Sequence, residues 1–143
     1  MFQKIDDATY CIALPREAKV IETLTNFCIE QRVHNGYFSG IGAVDQLSCG
    51  YYDLPEKVYR FSEYNELLEV VSLQGNIILK DDVPFIHAHG TFTNTDNQAF
   101  GGHLQEMRVG ITLEVFLHAL PSTLKRSHDE YSGLYLIDTD PTE

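Results

Sequence analysis

The chain has 143 residues, 43% of them apolar, which suits one domain with one continuous core and leaves no room for a second. Its 21 acidic residues outnumber 10 lysines and arginines, giving a net charge of −11, so unaided binding to a nucleic-acid phosphate backbone is disfavoured. No apolar run approaches the roughly 20 residues that cross a bilayer, and Met1 to Asp7 mixes Lys4 with Asp6 and Asp7 where a secretion signal would be apolar. A cytoplasmic protein without membrane partners is expected. Cys11, Cys28 and Cys49 have no C-x-x-C spacing and read as small buried apolar residues, neither disulfide framework nor thiolate zinc site.

Thr9 to Leu14 is β-branched, aromatic and apolar, a strand closed by Pro15. A helix is predicted to follow, with Pro15 or Arg16 in its first turn, Glu17 complementing the dipole, and Val20, Leu24, Phe27 and Cys28 on one apolar face. Arg32, His34 and Asn35-Gly36 supply its C-terminal signal. From Tyr37 onward the apolar stretches shorten to strand length, separated by turn signals at Asp53 to Pro55, Gln74 to Asn76 and Asp81 to Pro84. The expected fold class is therefore α+β: a largely antiparallel or mixed sheet of five or more strands with one main helix packed on it. The core should run from about residue 8 to about residue 138, and the polar tail after Ile137 should fray.

Chemistry concentrates in Phe85-Ile86-His87-Ala88-His89-Gly90-Thr91-Phe92, where alternation places His87 and His89 on one strand face, about 6.6 to 6.8 Å apart at the backbone, and Ile86, Ala88 and Phe92 on the other. Thr93 to Gln98 is a polar turn, and Ala99 to Leu104 reads as the returning strand. The midpoint between His89 and His103 is Asp96, so a symmetric hairpin brings His103 opposite His89, with paired side chains about 4.5 to 5.5 Å apart. Three neutral imidazoles with a position left open match the catalytic pattern of zinc (Zn2+) and not the closed structural one. The alternative is that the histidines are hydrogen-bonded core or interface residues and that Gly101-Gly102 mark a bulge instead of clearing space beside a metal.

From Arg108 to Leu120 the period is again two: Val109, Ile111, Leu113, Val115 and Leu117 share the apolar face, and Glu114 stands mid-strand on the other. Glu114 is a candidate catalytic base, a hydrogen-bond partner behind an imidazole, or a solvent-facing residue. Gly40-Ile41-Gly42-Ala43 lacks the third glycine and following helix of a dinucleotide site, so its glycines read as a strand bend or close packing. Lys125-Arg126 with His128 is a compact basic group offset by Asp129 and Glu130.

Taken in order, Gly40-Ile41-Gly42-Ala43, Gly50-Tyr51-Tyr52-Asp53, Glu66-Leu67-Leu68, Leu73-Gln74-Gly75-Asn76-Ile77, His87-Ala88-His89, Gly101-Gly102-His103-Leu104 and Thr112-Leu113-Glu114-Val115 resemble the PPC (plants and prokaryotes conserved) domain family. The resemblance covers roughly residues 8 to 138. It implies a sheet with a flanking helix, a homotrimer, and a histidine cluster near a subunit boundary, but no established reaction. Plant members attach AT-hooks that bind DNA; this chain has no Arg-Gly-Arg-Pro core, and Tyr64-Asn65-Glu66-Leu67-Leu68 replaces most of the plant partner-binding motif. Two expectations follow: a three-histidine site for a metal or small polar ligand at a trimer interface, or an oligomeric regulatory module with a DNA-associated role. The most concrete chemistry is metal-dependent attack of water on a small polar substrate with Glu114 as base.

Overall fold

The structure is a computed structural model that describes residues 1–139. Among them are β1 (Phe2–Lys4), β2 (Thr9–Leu14), α1 (Val20–Gln31), β3 (Gly36–Asp53), β4 (Val58–Tyr64), β5 (Leu68–Lys80), β6 (Val83–Thr93), β7 (Ala99–Ala119), β8 (Arg126–His128) and β9 (Tyr135–Ile137). The first seven strands named β1 to β7 form one antiparallel sheet in the order β1-β2-β7-β6-β5-β3-β4. A further pairing of β7 with β3 closes the circuit β3-β5-β6-β7 into a ring. The expected α+β class holds, with the sheet antiparallel throughout.

Ring closure follows from the length of β3 and β7. Each long strand keeps the other along one edge, while its second edge passes from β5 to β4 in the case of β3, and from β6 to β2 in the case of β7. Strands this long must bend, and the registers shift at Gly40/Gly42, Val44/Gln46 and Ser48/Cys49. One shift corrects the pattern read from the sequence. Between Gly42 and Val44 the pairing advances two residues on β3 but four on β7, from Leu113 to Val109, and this turns Ile111 outward to 60% exposure. Val109, Leu113, Val115 and Leu117 do enter the core, with Phe38, Val44, Leu73, Ile77 and Phe92.

Helix α1 lies against β6 and β7 and buries Val20, Leu24, Phe27 and Cys28. It begins later than Pro15 predicts. Glu17 adopts φ 70° and its N–H donates to the Val109 carbonyl, so this segment is tied to β7 and cannot be a first helical turn. The exposed amides are met instead by Glu106 of β7, whose carboxylate accepts from the N–H groups of Ile21 at 2.8 Å and Glu22 at 3.2 Å. The helix ends at Arg32, in the left-handed region, not at Asn35-Gly36. Asn35 is buried, donating to the carbonyls of His34 and Leu124 and accepting from Ser122.

Gln74 to Asn76, which read as a turn, lies in the middle of β5 because each residue has a ladder partner on both β3 and β6. The β5–β6 turn is Asp81-Asp82, both at positive φ, which is the type I′ geometry that a two-residue hairpin requires. Cys28 and Cys49 are buried and Cys11 partly so, all three as free thiols. Burial pushes the Cys28 thiol up to about 12. No helix among the described residues is long and apolar enough to cross a membrane. Of the tail expected to fray, residues 140–143 lie outside the described residues.

Replacing Glu106 with Ala strands two helix-terminal donors. We expect Glu106→Ala to cost about 0.5–2 kcal/mol, the range for a lost helix cap, in urea unfolding monitored by circular dichroism. An unchanged midpoint would remove this account of how α1 starts.

Candidate metal centre

Strand alternation along β6 buries Ile86, Ala88 and Phe92 and leaves His87 half-buried and His89 exposed on the outer side of the ring. On β5, Asn76 stands opposite His87 and Gln74 opposite His89. The turn into β7 is organised by Asn94, whose side-chain oxygen accepts from the N–H groups of Asp96 and Gln98. Its register pairs Thr93 with Ala99 and His89 with His103, the symmetry about Asp96 that the spacing predicts.

Gly101 and Gly102 are needed for a reason other than clearing room beside an ion. A Cβ on Gly101 would lie 2.2 Å from the Gly90 carbonyl oxygen, and one on Gly102 would lie 2.4 Å from that of Gly50. Side chains there would force β7 away from both neighbours.

The three imidazoles converge. Ring centroids are 5.0 Å apart for His87–His89, 5.1 Å for His87–His103 and 5.4 Å for His89–His103. One ligand atom from each residue lies within 4.8 Å of the others. The Nε2 atoms of His87 and His89 are 3.1 Å apart, hydrogen-bond distance, so one ring donates to the lone pair of the other. Two nitrogens about 2.0 to 2.1 Å from a tetrahedral zinc are themselves about 3.3 Å apart, so the donor set fits such an ion with small side-chain rotations. Among the described residues no other group of three or more His, Cys, Asp or Glu converges this way.

Electrostatics favours the neutral, ligating form. Burial pushes His103 down to about 4, aided by the neighbouring His87 and His89, and burial with His89 and Arg126 also lowers His87. An aromatic wall from β4 fixes the His103 ring: Tyr59 stacks on it at 4.4 Å and 25°, and Phe61 stacks on Tyr59 at 5.5 Å. Sequence reasoning missed Tyr59 and Arg126. Alternating aromatic residues at 59 and 61 were the available signal for the first. The second depends on the β8–β9 hairpin, which carries Arg126 to Asn76.

Two grooves meet the histidines on the β5 side. One is lined by Gln74, His89, Gly90 and Gly102, the other by Tyr37, Gly75, Asn76, His87 and His89. Glu114 lines neither. It is exposed, opposite Ile41, and borders an adjacent groove with Ser39, Val71, Gln74 and Phe116, so Ser72 and Gln74, which line both grooves, link it to the histidine side. His34 is exposed beyond the end of α1.

A closed antiparallel ring bearing three outward imidazoles and one covering helix defines the class of protein. The chain belongs to the Plants and Prokaryotes Conserved (PCC) domain family, whose model matches residues 3–121. It is similar to a metal-containing protein from Archaeoglobus fulgidus, with 34% identity over 95% of this chain and 96% of that one and a TM-score of 0.85. A plant- and prokaryote-conserved (PPC) protein from Pyrococcus horikoshii is 31% identical over 99% and 97% of the two chains, with a TM-score of 0.87. A candidate DNA-binding protein from Bacteroides thetaiotaomicron shares the fold, with a TM-score of 0.94 over 99% and 98% of the chains at 24% identity. No curated protein matches the chain significantly.

The histidine shifts give a pH dependence with a defined sign. In metal-free protein the folded state holds His103 neutral down to about 4, whereas the unfolded chain takes up that proton near 6.5. Stability should therefore fall as pH drops from about 6.5 towards 4, and the part of this fall above about pH 5 precedes the loss of the aspartates' contribution. The charges facing His103 are the imidazoles of His87 and His89 on β6, Arg126 on β8 and Lys80 on β5, none of which would stabilise an imidazolium. Thermal midpoints in EDTA should show this slope, and His103→Asn should flatten it; an equal slope in the variant would refute it.

Proposed function

We propose that His87, His89 and His103 hold one divalent metal ion, zinc by preference, in a site open to a small polar molecule. The observation carrying this reading is the mutual approach of three imidazole nitrogens within 4.8 Å on an outward face. Neutral imidazoles suit zinc, and three of them leave a coordination position free. The similarity to a metal-containing relative at 34% identity supports it. When bound, such an ion supplies Lewis acidity at its open position. The protein's own part is to present neutral nitrogens, to hold the His103 ring against Tyr59, and to keep two grooves open beside His89. Glu114 is assigned no ligand role, because its carboxylate belongs to the neighbouring groove. Three free thiols suit a reducing cytoplasm.

The same reading includes self-association as a homotrimer. Tyr37, Ile41, Val71 and Phe116 are each more than half exposed, and the last three line one groove with Glu114. Apolar groups gathered on one face are the usual mark of a protein contact. A role as a DNA-contacting module is less well supported. Lys4, Lys19, Arg60, Arg108 and Lys125 are each paired with a carboxylate, in a chain of net charge −11.

Two measurements test this. Zinc at about one hundred times its dissociation constant should stabilise the untagged protein by roughly 2.7 kcal/mol, a rise of several degrees in melting temperature. His89→Ala should abolish that rise, while His34→Ala and Glu114→Gln should keep it. No zinc response in the wild type, or equal loss in His34→Ala and His89→Ala, would overturn the metal assignment. Light scattering should give a trimer mass, reduced by Phe116→Glu; a monomeric wild type would overturn the assembly.

A further inference from the structure

The placement of positive charge in this acidic chain is selective. Five of its 10 lysines and arginines pair with carboxylates, and Arg16, Arg32 and Lys57 stand exposed to solvent. The remaining two, Lys80 and Arg126, are half-buried, and neither forms an ion pair among the described residues. Both line one cavity of about 340 Å³ that also reaches His87, His103 and Tyr59.

Arg126 is held in a fixed plane. Its Nη2 donates to Asn76 Oδ1 at 2.7 Å and its Nη1 to the Tyr135 carbonyl at 2.9 Å, while Nε is buried with no hydrogen-bond partner. The guanidinium lies 5.2 Å from the Phe85 ring centre, and the Lys80 ammonium lies 3.9 Å from that of Tyr135. The simpler explanation is that these aromatic faces are the cations' partners. Ring faces attract a cation but accept no full hydrogen bond from a buried N–H, so Nε remains unmatched. The cavity thus carries two cations with no carboxylate in its lining, one of them with an unmatched N–H, which suits an anionic oxygen group.

We infer that this cavity receives a small organic acid, its carboxylate held by Arg126 and Lys80 and a hydroxyl or carbonyl oxygen presented to the metal at His87 and His103. Tyr59, Phe85 and Tyr135 supply apolar walls for the carbon skeleton. A planar guanidinium suits a planar carboxylate, and both cations lie on the cavity wall where such a group would enter. This inference rests on the metal reading proposed above and adds to it the class of ligand.

The test uses zinc-loaded full-length protein, with zinc content measured on every sample. Calorimetric titrations with glycolate, 3-hydroxypropionate and 4-hydroxybutyrate are compared with the matching neutral amides and with inorganic phosphate. At least one hydroxy acid should bind the wild type 10-fold or more tighter than its amide, and the chain length that binds best reads the separation between Arg126 and the metal. Arg126→Gln should lose that preference with zinc content unchanged, and Arg126→Lys should restore part of it. Lys80→Met, which removes a cation that makes only aromatic contacts, tests the pocket should Arg126→Gln fail to fold. Equal binding of acid and amide by zinc-loaded wild type, or an undiminished preference in either neutral variant, would overturn the inference and leave the metal site standing. Phosphate binding tighter than every hydroxy acid would overturn the carboxylate assignment. A wild type that retains no zinc would overturn both readings.

Discussion

Everything at the histidine cluster depends on how closely β7 runs beside two neighbours at once. At Gly101 and Gly102 the backbone comes so near the carbonyls of Gly90 and Gly50 that a Cβ at either position would sit 2.2 to 2.4 Å from an oxygen. With no side chains there, β7 bonds to β6 and β3 together, and the residue at that junction is His103, paired with His89 on one side and Gly50 on the other. Ring closure and convergence of the imidazoles are thus one event. A chain that opened β7 away from β6 would lose the cluster even with every histidine retained.

Closure also sorts apolar from polar chemistry. Phe38, Leu73, Ile77, Phe92 and Leu113 fill the core, while the alternate residues of the same strands stand outside it. The histidines therefore sit on a rigid sheet surface with their backs to packed side chains, and β4 adds the Tyr59 stack that orients His103. Half-burial costs an imidazolium more than it costs an imidazole, which is why His103 stays neutral well below the usual histidine range.

Much of this was legible in the sequence because it is local. Two-residue alternation located the His87–His89 face, and the polar turn centred on Asp96 set the register that brings His103 across, since hairpin symmetry needs no knowledge of the remaining fold. What the sequence hid is contact between distant segments. Glu17 read as a helix residue until Val109 tied it down, and the helix is capped by Glu106, some 85 residues away. Gln74 to Asn76 carried turn chemistry, but ladder partners on both sides outweigh that local preference. Ile111 obeyed the period yet lies outside, because β7 carries two extra residues between the partners of Gly42 and Val44; Val109 and Leu113 on either side keep the phase and stay buried. Arg126 read as a surface charge offset by acids; only the β8–β9 hairpin, docked by Tyr52 Oη on the Ser132 carbonyl, brings it to the histidines.

The proposed metal and the cationic cavity cannot be energetically independent. His87 and His103 line the cavity that holds Arg126 and Lys80, so a divalent ion on those histidines would face two like charges that no protein carboxylate offsets among the described residues. Without an anion, each positive group raises the free energy of the others. A carboxylate placed between them is attracted by all, and by linkage it must tighten metal binding by the factor that the metal tightens carboxylate binding. The surplus of acids elsewhere does not substitute, because charges more than about 8 to 10 Å away through solvent are largely screened at ordinary ionic strength. An acidic protein can in this way keep one strongly anion-seeking site, provided that site is built where its own carboxylates do not reach.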